Sequence, residues 1–314
     1  MNELQAGTDL IRADTDELLQ RFRRYIARSD RTFDTYRKAL KQFFTFLSCN
    51  GIGQPTRDDV ERWRDQLQAT HAPAGVNVYL SAVKVFFAWT DDAGIYPDIA
   101  HRVKRARIDA QTEKSYLTAA QCRRILESMN GSDTEQGLRD LAMLSLLITT
   151  GTRTIELQRA DVGDLRNVGD CKVLFIRGKG RTGKGEYVKL APRTETALIN
   201  YLSTRNAKAD QPLFTSTSNR NQGGRLTTRS ISRIVKHAMI CAGYTDDRLT
   251  AHSTRHTAAI LNLSNGGTLE ETQVLLRHAD INTTRLYTHS IERQNNNSET
   301  RIENAIFREG EKQT

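Results

Sequence analysis

The chain has 314 residues, 38% of them hydrophobic, with a formal net charge of +9 and a pI of about 9.5. That length allows two domains with separate cores, and the lack of any apolar run of about 18 residues excludes a membrane-spanning helix. "MNELQAGTDLIRADTDELL" lacks the basic-then-apolar layout of a secretory signal, and Cys49, Cys122, Cys171 and Cys241 form no C-x-x-C pair, so a cytoplasmic protein with ordinary thiols is expected, without a zinc module or disulfide framework.

Residues 1–13 read as a disordered lead-in, and Asp14 with Glu17 opens a first helix whose Leu18, Phe22, Tyr25 and Ile26 share a stripe. A second helix carries Tyr36, Leu40, Phe43, Phe44 and Leu47 and ends before "NGIGQP". The third starts in "PTRDDVERWRDQL", with Thr56 as cap and Val60, Trp63 and Leu67 facing inward. The fourth, "GVNVYLSAVKVFFAWTDDAG", places Leu80, Val83, Phe86 and Phe87 at helical spacing despite many β-branched residues. Four such helices make a small helical domain over residues 14–101, with the aromatics in its core rather than on a base-stacking platform. His101, Arg102, Lys104, Arg105 and Arg107 then fall within seven residues, and residues 102–116 read as a basic interdomain linker.

From Leu117 the pattern changes. "LTAAQCRRILESM" is a helix, and "SDTEQGLRDLAMLSLLITTG" a longer, more apolar one stopped at Gly151. "CKVLFIRGK" and "EYVKLA" are short strands joined by a glycine-rich turn. Helices follow, among them "TTRSISRIVKHAMICAGY", with Ile231, Ile234, Val235, Ala238 and Met239 on one face, and "TLEETQVLLRH", opened by a Thr268–Glu271 capping box. "SETRIENAIFRE" is a last amphipathic segment in the tail, residues 295–314.

Two motifs mislead. "GKGRTGKG" nearly matches a phosphate-binding loop, but Gly185 stands where the hydroxyl for Mg²⁺ should be, and the segment lies between strands. A hairpin tip with Lys179, Arg181 and Lys184 pointing outward fits better. "HSTRH" spaces His252 and His256 as zinc sites do, yet Ser253 replaces the glutamate base, so no metal site is assigned.

The remaining polar residues make chemical sense together. Arg153, Lys179, His252, Arg255, His278 and Tyr287 supply two guanidiniums, one ammonium, two imidazoles and a phenol. No carboxylate pair is placed to hold Mg²⁺. Arginine forks can neutralise a phosphodiester in transfer instead. A phenol, with pKa near 10, is a poor nucleophile at neutral pH, and packing among cations and hydrogen-bonding histidines makes its oxyanion more accessible. A hairpin lysine can protonate the leaving 5′-oxygen. The bond energy stays in a phosphotyrosine, so rejoining needs no ATP and no cofactor. Singly, each residue also fits a structural role: Arg153 paired with Glu156, His256 in a core, Tyr287 as a buried aromatic.

"TGTRTIEL", "RGKG", "HSTRHTAAILNLSNGG" and "LLRHADINTTRLYTH" together resemble the arginine, lysine, H-x-x-R-H and H…Y boxes of the tyrosine recombinase (phage integrase) family. The resemblance spans roughly residues 15–300 and implies a two-domain member without an arm-binding domain. The implied fold is mainly α with a small antiparallel β-sheet: a helical core-binding (SAM-like) domain, then a mixed α/β catalytic domain over residues 117–294. It implies phosphate clamping by Arg153 and Arg255, Lys179 as general acid, His252 as general base, His278 as donor to the phosphate and Tyr287 as nucleophile. Glu156 falls on a supporting acidic position and His256 on a structural one. Lys184 competes with Lys179 for the acid role. The sequence departs at Thr152, usually aliphatic, and at Arg277, usually glycine, which either adds a phosphate contact or sits exposed.

The implied partner is double-stranded DNA at specific recombination sites, bound by a homotetramer, with a monomer possible in solution; accessory proteins are not identifiable. Arg102, Lys104, Arg105, Arg107, Arg181, Lys184 and Arg277 are the expected DNA contacts, and the tail is expected to dock on a neighbouring protomer or to pack in cis. Integration and excision of a mobile element is the first expectation for the biological role. Resolution of chromosome or plasmid dimers, a non-catalytic DNA-binding protein of the same fold, and a type IB topoisomerase-like enzyme are the alternatives.

Overall fold

The computed structural model describes residues 15–26, 30–108, 115–178, 183–278, 280–285, 287 and 296–307. The chain divides into two compact units, Met1–Thr112 and Glu113–Thr314.

The first unit is built from α1 (Thr15–Ile26), α2 (Asp30–Cys49), α3 (Arg57–Gln68) and α4 (Pro73–Asp92). Pro73 opens α4 where no intrahelical N–H is needed. Thr56 is the residue before α3, and there Asp59 accepts from both the Thr56 N–H at 2.7 Å and its hydroxyl at 2.8 Å. The expected stripes meet in one aromatic core, except that Tyr25 is exposed, its ring 6.3 Å from that of Trp89 between centroids. Phe43 lies 5.1 Å from Trp63 and 5.9 Å from Phe87 between ring centroids, both edge-on. Such pairs add about 0.5–1.5 kcal/mol beyond the area they bury. Because Trp63, Phe22, Phe43, Phe86 and Phe87 are all buried, none is free to stack on a base. Val76 and Val83 are buried in α4, so packing overrides their weak helix propensity.

The basic stretch after α4 is not a free linker. Val103 and Ala106 are buried in the same core, while Arg102, Lys104, Arg105 and Arg107 are exposed. The Asn77 side chain donates to Ala106 O at 2.9 Å and accepts from its N–H at 2.8 Å, pairing the backbone as a neighbouring strand would. Arg64 donates to Lys104 O at 3.0 Å. The apolar residues among the cations anchor the stretch, which the charge pattern alone concealed.

The second unit holds α5 (Ala119–Met129), α6 (Glu135–Thr150), α7 (Thr154–Gln158), β1 (Leu165–Val168), β2 (Cys171–Ile176), β3 (Glu186–Lys189), α8 (Pro192–Ser203), α9 (Thr228–Cys241), α10 (Ala251–Ser264), α11 (Leu269–Leu276) and α12 (Ser298–Phe307). Residues 282–285 form a further helical turn just before Tyr287. Every residue from Ala142 to Ile148 of α6 is buried, as befits a helix packed on all sides, and α5, α8, α9 and α10 surround it. The sheet is antiparallel in the order β1-β2-β3, with Leu174 opposite both Leu165 and Val188. The glycine-rich segment therefore joins two antiparallel strands, which is no setting for a phosphate-binding loop. Strand β1 escaped the sequence reading because "LRNV" has no alternation and three of its four residues are exposed. No residue of α12 is buried, and Ile302, Ile306 and Phe307 face outward. No described helix is long and apolar enough to cross a membrane.

Gly151 ends α6 in the left-handed region, at φ 59°. A Cβ there would lie 2.7 Å from Leu276 Cδ2 and 3.2 Å from Ala258 Cβ. Left-handed strain and overpacking act together, so Gly151→Ala is expected to cost about 2–4 kcal/mol in urea unfolding. A loss below about 1 kcal/mol would mean that the turn relaxes freely.

Candidate active site around Tyr287

The site is assembled at helix ends. Arg153 sits at the N-terminus of α7, and Glu156, three residues on, reaches back: Oε2 accepts the Arg153 N–H and Oε1 accepts Nη1, each at 2.8 Å. Glu156 is fully buried, and a second cation, Arg277, donates Nη2 to Oε2 at 2.7 Å. Burial would raise the Glu156 carboxyl, but Arg277 and then Arg153 outweigh it and hold the group below its ordinary value.

Arg255 lies in α10 with 2% of its surface exposed. Its Nη1 donates to Gly151 O at 2.6 Å and its Nη2 to Leu276 O. The guanidinium is thus strapped between the end of α6 and the end of α11. Burial first, then the charges of Arg153 and Arg277, push its pKa down to about 9, which leaves it charged at neutral pH. A guanidinium has five N–H donors, so these bonds leave others for a phosphate.

Tyr287 is buried beside Ala259, Ile260 and Leu276. Its hydroxyl is 2.7 Å from His256 Nδ1. The His252 ring meets the His256 ring edge-on at 4.6 Å between centroids, and the His278 ring lies nearly parallel to Tyr287 at 6.5 Å. His278 is fixed by Nδ1 against the Thr284 hydroxyl at 2.8 Å and by its N–H, which donates to Gln273 O at 3.1 Å. Burial raises the phenol's pKa, and the pull of Arg255 and Arg153 does not cancel it. Cations and a hydrogen-bonding histidine do surround the hydroxyl as expected, while burial works against the oxyanion.

Arg153, Glu156, Arg255, His256, His278, Tyr287 and, through His256, His252 are therefore brought together. Lys179 and Arg181 lie outside the described residues. Lys184 does not point outward: its ammonium sits between Asp161, at 2.7 Å, and Asp164, and Arg225 shares Asp161. Two carboxylates from the turn before β1 draw it in, and nothing in the local sequence ties it to partners 23 and 20 residues away. Arg277 is not exposed, since its side chain is only 6% accessible. Glu156, buried and needing a second cation, accounts for that. Sequence reasoning missed the carbonyls of Gly151 and Leu276 and the hydroxyl of Thr284, none of which carries a motif signal.

The model of the phage integrase family matches residues 115–294, and that of the phage integrase N-terminal SAM-like domain matches residues 18–94. The chain belongs to the phage integrase family. Its relatives include the tyrosine recombinase XerC of Herpetosiphon aurantiacus, 32% identical over 269 residues that cover 82% of this chain and 84% of that one. The XerC of Roseiflexus castenholzii is 31% identical over 293 residues, covering 87% and 89%. A XerH site-specific recombinase solved with a palindromic difH substrate after cleavage shares the fold, with a TM-score of 0.69 at 21% identity over 91% of this chain and 84% of that one. Membership brings with it the activity of a site-specific tyrosine recombinase, a DNA strand-transfer enzyme.

Proposed function

We propose that Tyr287 cleaves one strand of a specific duplex site and holds it as a 3′-phosphotyrosine, without metal or ATP. The observation that carries this reading is the buried phenol whose hydroxyl lies 2.7 Å from His256 Nδ1, with the His252 ring against His256 and the His278 ring beside the phenol. The phenol oxygen attacks phosphorus, its proton leaves toward the His256–His252 pair, and the P–O5′ bond breaks. Arg153 and Arg255 bind the non-bridging oxygens, with His278 as a further donor. Lys179 gives the leaving 5′-oxygen its proton, since Lys184 is engaged by two carboxylates. A 5′-hydroxyl from another strand reverses the step and rejoins DNA.

Arg102, Lys104, Arg105 and Arg107, exposed on an anchored stretch, suit contacts to the duplex backbone. Four protomers on two sites are proposed, with α12 as the docking tail. Its outward apolar residues support that role. Integration and excision of a mobile element is the first biological reading; the XerC and XerD relatives favour dimer resolution as the second. Sequencing the DNA captured covalently in cells separates them, because a site on the host replicon away from any element would remove the first.

The chemistry is tested with a duplex nicked beside the cleavage point, in excess EDTA and without ATP. The expected product is protein covalently joined to DNA, with the adduct mapping to Tyr287. Lys179→Ala is expected to slow its formation far more than Lys184→Ala. No adduct, or one that requires added Mg²⁺, would overturn the proposal, and a Lys184 effect larger than that of Lys179 would reassign the acid.

A further inference from the structure

Arg277 carries two local penalties. It is the only non-glycine residue with positive φ among the described residues, at 55°. Its Nε is buried with no hydrogen-bond acceptor. Left-handed backbone disfavours any side chain, and a buried orphan donor is destabilising. Strain of this kind persists where the surroundings enforce it, and it collects at working sites. Glycine would relieve both penalties, so the guanidinium has to be explained by what it does.

It turns to Glu156, with Nη1 also donating to Leu275 O at 2.6 Å. The carboxylate it holds is the one that fixes Arg153 by both backbone and side chain. Its charge also reaches Arg255. Arg153 and Arg277 both pair with the Glu156 carboxylate, and Arg255 feels the charges of all three, so these four side chains together carry two positive charges in excess. A bound phosphodiester brings one negative charge, and attack by a phenol oxygen adds a second. Without Arg277 that excess falls to one, and the loss is felt more by the doubly charged pentacoordinate transition state than by the singly charged ground state, so Arg277 accelerates cleavage more than it tightens binding.

On the reading of Tyr287 as nucleophile, we infer that Arg277 is a positioning residue of the cleavage site, which locks the Glu156–Arg153 pair and adds a positive charge that favours the transition state over the bound phosphodiester. Arg277 acts through its neighbours and is not an ordinary duplex contact.

The test compares Arg277→Met, which keeps length without charge, with Arg277→Lys, which keeps charge without the fork; Arg277→Gly serves as a control free of backbone strain. Single-turnover cleavage of the nicked duplex is measured with the full chain. Arg277→Met and Arg277→Gly are expected to cleave about a hundredfold more slowly, and Arg277→Lys to recover most of that rate. Binding of the intact duplex, and its salt dependence, should stay as in the wild type. Equal cleavage by Met and wild type would overturn the inference while leaving the nucleophile in place. So would a salt slope reduced by about one, which marks a simple phosphate contact. If Arg277→Gly fails to fold, the Met and Lys pair decides, since both keep a side chain at this position. If the wild type forms no adduct, the proposed function falls, and this inference with it.

Discussion

Tyr287→Phe is expected to abolish covalent capture of the nicked duplex while leaving duplex affinity unchanged. The phenylalanine ring fits the same buried place beside Ala259, Ile260 and Leu276, so the fold has no reason to rearrange. What disappears is the oxygen and its hydrogen bond to His256. A single hydrogen bond of this kind contributes about 1 kcal/mol net, so the melting temperature should fall by only a few degrees. The chemical loss is total, because no other atom of residue 287 can bond to phosphorus. One neighbour is a stringent control. Tyr116 packs against the same small core and carries a second phenol there. If Tyr287→Phe still formed an adduct, mapping to Tyr116 or elsewhere, the assignment of the nucleophile would be wrong.

Replacing Arg255 is expected to damage both stability and cleavage. Arg255→Ala leaves the carbonyls of Gly151 and Leu276 without their donors in a buried setting, at about 1–3 kcal/mol for each group. Relief of the repulsion from Arg153 and Arg277 offsets part of this, so a net loss of about 2–4 kcal/mol is expected by denaturant unfolding. Cleavage should fall by at least about a thousandfold, since a charged donor aimed at the reacting phosphate is removed. Arg255→Lys separates the two effects. It keeps the charge but replaces a planar fork by one point, so stability should be partly restored while cleavage stays low. Cleavage within tenfold of wild type in both variants would place the phosphate somewhere other than Arg255.

Local chemistry was legible in the sequence, and long-range pairing was not. The Thr268–Glu271 box and the Gly151 stop were readable because each is a short-range backbone arrangement with its own residue signature. The aromatic stripes around Phe43 and Trp63 were readable because helical periodicity is local too. The motif boxes named Arg153, Arg255, His278 and Tyr287, but no spacing shows what each touches. His256 and Tyr287 are 31 positions apart, Arg255 and Gly151 are 104, and Arg277 and Glu156 are 121. Those pairings come from how α6, α7, α10 and α11 end next to one another. The same holds for Asn77, whose amide reaches Ala106 and turns an apparent linker into part of a core.

The bare helix α12 has a thermodynamic corollary. Ten residues with nothing buried fall short of the length at which an isolated helix persists in water. If α12 docks on a neighbouring protomer, as proposed above, its order is borrowed from the surface that covers Ile302, Ile306 and Phe307, and helix content at the C-terminus becomes a function of protein concentration. On that proposal, far-ultraviolet ellipticity deepens on association, and trimming this end weakens self-association while sparing the melting of the two cores; ellipticity independent of concentration would mean that the tail packs in cis.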